Sequence, residues 1–329
     1  MNTTNTVHAR SALHAAVRPD HPAIRCEDRQ FTYRQLHVES NRTAHALLAA
    51  GLRAGARVAY LGRESEHYYG IVLACAKTGM VMVPINWRLT AAEIDHILRD
   101  SGAELLFVER DFLPAAQRVL PAVPGLRTLV QLDRPGEPFG GFLEWRGDVP
   151  EHDLDPRTDT DYPVVQLYTS GTTGLPKGVV LAHRTFFTLI DAIAEHGADW
   201  LDWRPSDVSL IAFPGFYTAG MGWFMHGFNA GATNLIMRLF VSEEAVRLIE
   251  QDGVTITFVA PAMLHMMLRE RGVTSSTFRS LRKVAYGAAP IAEDLLRACL
   301  DTMRCEFAQI YASTETGSVA ACLPPADHV

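Results

Sequence analysis

Short apolar runs alternate along this chain with longer segments whose apolar residues recur every three or four positions, which predicts strands and helices in turn. Segments 57–61, 80–85 and 105–108 read as strands, and 68–77 as a helix stopped by Gly79. Two helix starts carry capping boxes. Thr32 with Gln35 opens a helix that buries Leu36, Ala44, Leu47 and Leu48 and stops at Gly51; Thr90 with Glu93 opens another through Leu98. Upstream, the chain begins polar and irregular before a short strand at 22–26. In the second half, a helix at 185–194 and a strand at 208–212 lead to a helix capped by Ser242, with Glu243 and Glu244 at the positive end of its dipole and Gly253 at its stop. Strands 255–259, 284–286 and 306–311 then alternate with helices 262–271 and 291–303. Such alternation implies an α/β fold with parallel sheets covered on both faces. The acidic, Pro/Gly-rich stretch 133–162 breaks the pattern and reads as an exposed connection.

With 329 residues and 48% hydrophobic content, the chain can bury one large or two moderate cores. A net charge of −7 without a basic cluster argues against nucleic acid or an anionic membrane as the main partner, so any anion must be captured locally. The five cysteines are odd in number and lack C-x-x-C spacing, which points away from a disulfide framework or zinc site and towards a cytoplasmic location. The most apolar stretch, 71–85, is interrupted by Lys77, Gly79 and Pro84, and so reads as helix, turn and strand rather than an integral membrane segment.

One stretch concentrates chemistry. Residues 168–180, YTSGTTGLPKGVV, place Thr169, Ser170, Thr172, Thr173 and Lys177 among three glycines, between apolar strands at 164–168 and 179–181. Gly171, Gly174 and Gly178 allow positive φ and close approach of backbone N–H groups to an anion; the hydroxyls donate and Lys177 adds a point charge. Together they suit a polyphosphate. An ordinary P-loop fails here, because Lys177 is followed by Gly178 and β-branched apolar residues instead of Ser or Thr and a helix. A ligand-free glycine hairpin is the bland alternative, and four hydroxyls with a lysine weigh against it.

The run YTSGTTGLPKGV resembles the signature loop of the adenylate-forming superfamily, which includes acyl-CoA synthetases, adenylation domains of peptide synthetases and beetle luciferases. Residues 286–290 (YGAAP), 309–315 (QIYASTE), 31–33 and 83–86 agree with it in the expected order, so the resemblance covers nearly the whole chain. It implies the two α/β subdomains of that superfamily's N-terminal domain, one of 55–199 and one of 1–54 rejoining 200–329. It also implies that Gly287, Ala288, Ala289 and Pro290, with Tyr311, Ala312, Ser313 and Thr314, hold adenine and the α-phosphate region. Tyr311 would lie against the purine and Glu315 would serve Mg²⁺, while Thr169 and Lys177 act on the phosphates. Ala312 stands where the family commonly has glycine.

The acid substrate is expected along 213–225, FPGFYTAGMGWFM, and at the strand end 259–262, with Phe216, Tyr217, Gly220, Met221, Met225 and Ala260 lining an apolar acyl site. That stretch has no carboxylate to pair a buried ammonium, which demotes amino-acid activation. Tyr217 stands where many members of the family have histidine. His183, just past the signature loop, reads as a structural histidine rather than a general base.

Members of the family continue with a small β-barrel and a mobile C-terminal domain. The expectation from the resemblance is therefore an N-terminal portion that folds, lacks both, turns over poorly by itself and exposes a surface open to self-association. The leading reading is conversion of an apolar carboxylic acid to acyl-adenylate and then acyl-CoA, with ATP, Mg²⁺ and coenzyme A. The alternatives are a non-catalytic nucleotide- or acyl-binding module and an adenylation domain that loads a carrier protein.

Overall fold

The computed structural model describes residues 5–137, 139–154, 158–170, 174–197, 200–317 and 319–328. The first half of the chain forms α1 (Val7–Val17), β1 (Pro22–Cys26), β2 (Arg29–Thr32), α2 (Tyr33–Ala49), β3 (Arg57–Leu61), α3 (Glu66–Thr78), β4 (Val81–Ile85) and α4 (Ala91–Ser101). It continues through β5 (Ala103–Val108), α5 (Leu113–Val119), β6 (Thr128–Gln131), α6 (Gly140–Arg146), β7 (Pro163–Thr169) and β8 (Lys177–Ala182). The second half adds α7 (Thr188–His196), β9 (Val208–Ile211), α8 (Thr218–Ala230), β10 (Thr233–Ile236), α9 (Ser242–Asp252) and β11 (Ile256–Val259). It ends with α10 (Pro261–Leu268), β12 (Lys283–Gly287), α11 (Glu293–Met303), β13 (Glu306–Ala312) and β14 (Val319–Leu323). These elements build two compact units, residues 1–20 with 32–185 and residues 21–31 with 186–329.

In the first unit, a six-stranded sheet has the order β6-β5-β3-β4-β7-β8, parallel throughout except that β8 returns antiparallel to β7. Every residue of β4 is buried, as a central parallel strand with helices on both faces requires. Ala59, Leu61, Val83, Ile85, Leu106 and Val108 face Ile94, Ile97 and Leu98 of α4 and Ala116 and Val119 of α5. On the opposite face Phe107 meets Phe142 and Trp145 of α6, and Tyr60 meets Tyr68 of α3. Both predicted capping boxes form, Thr32 with Gln35 and Thr90 with Glu93. In the second unit, an eight-stranded sheet runs β14-β13-β12-β11-β9-β10-β1-β2, and β14 is an antiparallel strand at one edge. Met267 of α10, Ile249 of α9 and Cys299 of α11 pack on one face against Leu210, Val259 and Val284. Trp223 of α8 packs on the other face against Phe258.

The structure differs from the sequence expectations at several elements. Residues 7–17 are helical, started by the Thr6 hydroxyl on the Ala9 amide. The connection 133–162 contains α6, whose Phe142 fills the sheet face, and β10 and β14 add strands that the pattern did not predict. Ser242 lies inside the first turn of α9 and donates its hydroxyl to Glu270 instead of capping the helix. Residues 1–20 and 32–54 group with 55–185, and 186–199 with the C-terminal half, unlike the expected division; α2 packs on α1 and α3 and supplies polar partners to Lys77.

Lys77 is almost fully buried on α3. Its Nζ donates to the His37 carbonyl (2.9 Å), Ser40 Oγ (2.8 Å) and Asn41 Oδ1 (2.6 Å), all on α2. His37 donates from Nε2 to Asp153 (2.6 Å), which leaves Nδ1 to accept from Ser11 of α1 (2.9 Å), with Lys77 Nζ 3.1 Å away. Burial pulls the Lys77 pKa down to about 7, against the attraction of Asp153. Burial also lowers the His37 pKa, with Lys77 acting in the same direction and Asp153 opposing it. Between pH 7 and the ordinary lysine pKa of 10.5, the unfolded chain holds a proton on Lys77 that the folded chain has released, so stability rises with pH there. We expect the wild-type protein to gain stability over Lys77→Met from pH 7.5 to 9.5, by up to about 1.4 kcal/mol per pH unit. Urea denaturation of both proteins across that range measures it; a constant difference would refute the assignment.

Candidate functional site

The signature stretch is a hairpin in the first unit. β7 and β8 pair Tyr168 with Gly178 and Thr169 with Lys177, so Lys177 opens β8 directly opposite Thr169. Lys177 and Ser170 are exposed, and Gly174 holds φ +94, the positive-φ turn expected of a glycine there. Gly178 is glycine for a different reason from the one expected, since its φ is not positive. A Cβ at Gly178 would lie 2.5 Å from Gln166 Nε2 and 3.1 Å from Tyr168 Cζ, whose side chains cross over it. Gly171, Thr172 and Thr173 lie outside the described residues.

Helix α4 and the sheet hold the base of this hairpin. His96 Nε2 donates to the Pro176 carbonyl (2.8 Å), and Tyr168 donates its hydroxyl to Asp100 (2.6 Å) while accepting from Gln166 Nε2 (3.0 Å). Burial, reinforced by Asp100, pushes the Tyr168 phenol pKa up, so the hydroxyl keeps its proton. Sequence reasoning missed His96, Asp100 and Gln166, because no local spacing links them to 168–180. His183 is fully buried, and its Nδ1 accepts from the Val7 amide (3.1 Å). Burial, with His8 adding to it, holds its pKa at about 3. A neutral, enclosed imidazole with Nδ1 already engaged fits the structural reading.

In the second unit, four adjacent parallel strands, β9, β11, β12 and β13, bring their carboxyl ends to one edge of the sheet, each reaching further than the one before. Register pairs Ile211 of β9 with Phe258 of β11, Val259 of β11 with Tyr286 of β12, and Gly287 of β12 with Ile310 of β13. Phe213, Ala260, Ala288 and Tyr311 therefore follow one another along the carboxyl edge of the sheet, where open α/β sheets bind ligands. Tyr311 is 71% exposed, and Ala288, Ala289 and Pro290 are exposed on the turn after β12. Ala288 holds φ +65, a left-handed conformation unusual for a residue with a Cβ. Ala312 does not have positive φ, so its methyl group strains nothing. Ser313 and Thr316 close the β13–β14 turn: the Ser313 amide donates to Thr316 Oγ1 (3.0 Å) and the Thr316 hydroxyl to the Ser313 carbonyl (2.8 Å). Thr314 accepts from the Gly317 amide (3.0 Å), and Glu315 is exposed on the same turn.

The expected acyl-lining residues divide by exposure. Tyr217 is 44% exposed and stacks edge-on against Phe216, itself 3% exposed, whereas Met221 and Met225 are fully buried along α8. Gly220 seats α8 against the preceding loop, where a Cβ would lie 2.3 Å from the Pro214 carbonyl. Phe213 and Phe258 pack with ring centroids 4.9 Å apart beside Ala260. For magnesium, no cluster of three or more metal-ligating side chains occurs among the described residues. One exposed carboxylate, Glu315, fits an ion carried mostly by phosphate oxygens and water, not an all-protein cage. All five cysteines are free, and no helix of the described residues is long and apolar enough to cross a membrane.

The hydroxyl-rich antiparallel hairpin with its exposed lysine thus belongs to the first unit, and the turns at the carboxyl edge of the parallel sheet belong to the second. The chain belongs to the AMP-binding enzyme family, whose profile matches residues 12–329. It is 54% identical, over 97% of its length, to the fatty acid–[acyl-carrier-protein] ligase ScoC of Streptomyces coeruleorubidus, and 33% identical over 95% to an indoleacetate–CoA ligase of Aromatoleum aromaticum. It spans 60% and 61% of those two relatives. Its fold matches the inhibitor-bound N-terminal domain of FACL13 from Mycobacterium tuberculosis with a TM-score of 0.87 at 27% identity, covering 98% of this chain and 79% of that one.

The sheet edge gives a direct test. A Cβ at Gly287 would lie 2.3 Å from the Ile310 carbonyl, a backbone atom that cannot rotate away. Gly287→Ala should therefore destabilise the protein by about 1–3 kcal/mol through a forced backbone shift. Unchanged denaturation would show that β12 and β13 do not approach as described.

Proposed function

We propose that this chain carries the acid-activating part of an ATP-dependent ligase acting on an apolar carboxylic acid. The supporting observation is the hairpin, which sets exposed Lys177 opposite Thr169 in a hydroxyl-rich loop and so suits charge on phosphate. A substrate carboxylate oxygen would bond to the α-phosphorus of ATP, the bond to the β-phosphate bridging oxygen would break, and pyrophosphate would leave. A thiol would then attack the acyl carbon of the acyl-adenylate and displace AMP. Magnesium would neutralise phosphate charge, with Glu315 as its protein carboxylate. Tyr311 and the turn 287–290 are the purine-side residues in this reading. Phe213, Phe216, Tyr217 and Ala260 are its acyl-side residues, with Gly220, Met221 and Met225 behind them.

The acceptor follows from likeness. The 54% identity to a fatty acid–[acyl-carrier-protein] ligase favours the phosphopantetheine thiol of a carrier protein. The 33% identity to an indoleacetate–CoA ligase supports coenzyme A as a second reading. Acid-dependent pyrophosphate release tests activation, measured on residues 1–329 and on any longer polypeptide that contains them. Comparing loaded carrier protein with acyl-CoA as products separates the two acceptors. Apolar acids should outperform amino acids, since 213–225 offers no carboxylate to an ammonium; preference for an amino acid would overturn the acyl assignment.

Lys177→Ala should weaken ATP binding about tenfold to a hundredfold, the size of one charge-assisted hydrogen bond. Calorimetric titration with ATP measures this. Unchanged affinity would remove Lys177 from the phosphate site.

A further inference from the structure

Helix α4 meets the signature hairpin on both of its arms. His96 and Asp100 are four residues apart, so they lie one turn from each other on the same helix face. His96 holds the Pro176 carbonyl at 2.8 Å, immediately before Lys177, and Asp100 holds the Tyr168 hydroxyl at 2.6 Å, immediately before Thr169. Thr169 and Lys177 are themselves a cross-strand pair, so the two contacts grip the hairpin just beside the residues that face phosphate. Pro176 has no N–H and cannot donate to the ladder, which leaves its carbonyl as the backbone group through which this arm is fixed.

The helix is well suited to act as a support. Its start is closed by the Thr90–Glu93 capping box and its end by Gly102 in the left-handed conformation. Ile94, Ile97 and Leu98 anchor its inner face in the core against β3, β4 and β5. Gln166 couples the same hairpin to the sheet: its amide donates to Tyr168, and its carbonyl accepts from Arg57 Nε at 3.4 Å.

We propose that His96 and Asp100 are positioning residues that act through Pro176 and Tyr168 to hold Thr169 and Lys177 in register for phosphate binding, an inference that rests on the nucleotide-binding reading above. His96 carries the larger share, because its bond is partly buried while Asp100 is exposed. Neither residue touches the nucleotide in this assignment. Their effect is confined to the order of the hairpin.

The test combines His96→Ala, His96→Gln and Tyr168→Phe with two measurements on the whole chain. Amide hydrogen exchange over 174–180 without nucleotide reports hairpin order, and calorimetry with ATP and separately with a medium-chain fatty acid reports binding. His96→Ala should speed exchange there and raise the Kd for ATP by about fivefold to tenfold, the size of one neutral hydrogen bond, with the fatty-acid Kd unchanged. His96→Gln, which keeps an N–H donor, should restore both. Tyr168→Phe removes only a hydroxyl and keeps the test available if His96→Ala folds poorly; it should shift both readouts in the same direction. Unaltered exchange in His96→Ala and Tyr168→Phe would overturn the support role, whether or not ATP binds. Faster exchange with unchanged ATP affinity, in a wild-type protein that binds ATP, would overturn its link to phosphate. Faster exchange in a wild-type protein that does not bind ATP would leave the support standing and overturn the nucleotide reading.

Discussion

Parallel register in the second unit is the constraint on which its candidate site depends. A one-residue slip would turn each strand's side chains to the opposite face, against the wrong helices, so packing locks β9, β11, β12 and β13 in one alignment. That alignment brings the four carboxyl ends to one edge of the sheet, and the loops that leave them inherit adjacent places. The tightest point is Gly287, whose bare Cα lies where the Ile310 carbonyl closes on β12. The turn after it then holds Ala288 in the left-handed region, a strain of about 1–2 kcal/mol borne in the middle of the 286–290 motif.

The first unit depends on a buried charge network. Lys77 cannot reach water, so three acceptors from α2 replace its hydration, and the Asp153 carboxylate balances it through the His37 ring. One buried amine thus ties α2, α3 and the connection before β7 together. Arg42 on Glu151, and Asn41 on the Glu151 carbonyl and on Asp153, extend the same clasp. An apolar residue at position 77 would pack more cheaply but would not specify which helix faces α3.

In the proposed function, the signature hairpin would handle phosphate differently from a P-loop. A P-loop leads into a helix whose N-terminal amides and dipole favour an anion. Here the loop leads into β8, an antiparallel edge strand with little net dipole, so in that reading the positive field would come from side chains such as Lys177. Such a field would depend on where those groups are held. Anchors on both arms therefore matter more here than they would beside a helix terminus. Membership of the AMP-binding enzyme family is consistent with that arrangement.

The sequence by itself determined the local grammar: the α/β alternation, the two capping boxes at Thr32 and Thr90, the extent of β3, and the 168–180 motif with its hydroxyls and lysine. These are readable because caps, periods of 2 and 3.6, and loop chemistry are set by residues a few positions apart. Elements whose apolar residues are justified only by distant partners were not readable. Helix α6 looked like an exposed connection because Phe142 and Trp145 make sense only against Phe107, and β10 was missed because it is short and fully buried. The partition of the chain was also decided in three dimensions, since residues 32–54 follow Lys77 into the first unit. The same holds at the sites. Sequence named Gly178 as a glycine of the loop, but only packing showed that it yields space to Gln166 and Tyr168 instead of supplying positive φ. Contacts such as His96 to Pro176, 80 residues apart, leave no mark on any local pattern, because folding chooses them through the core that brings α4 beside β8.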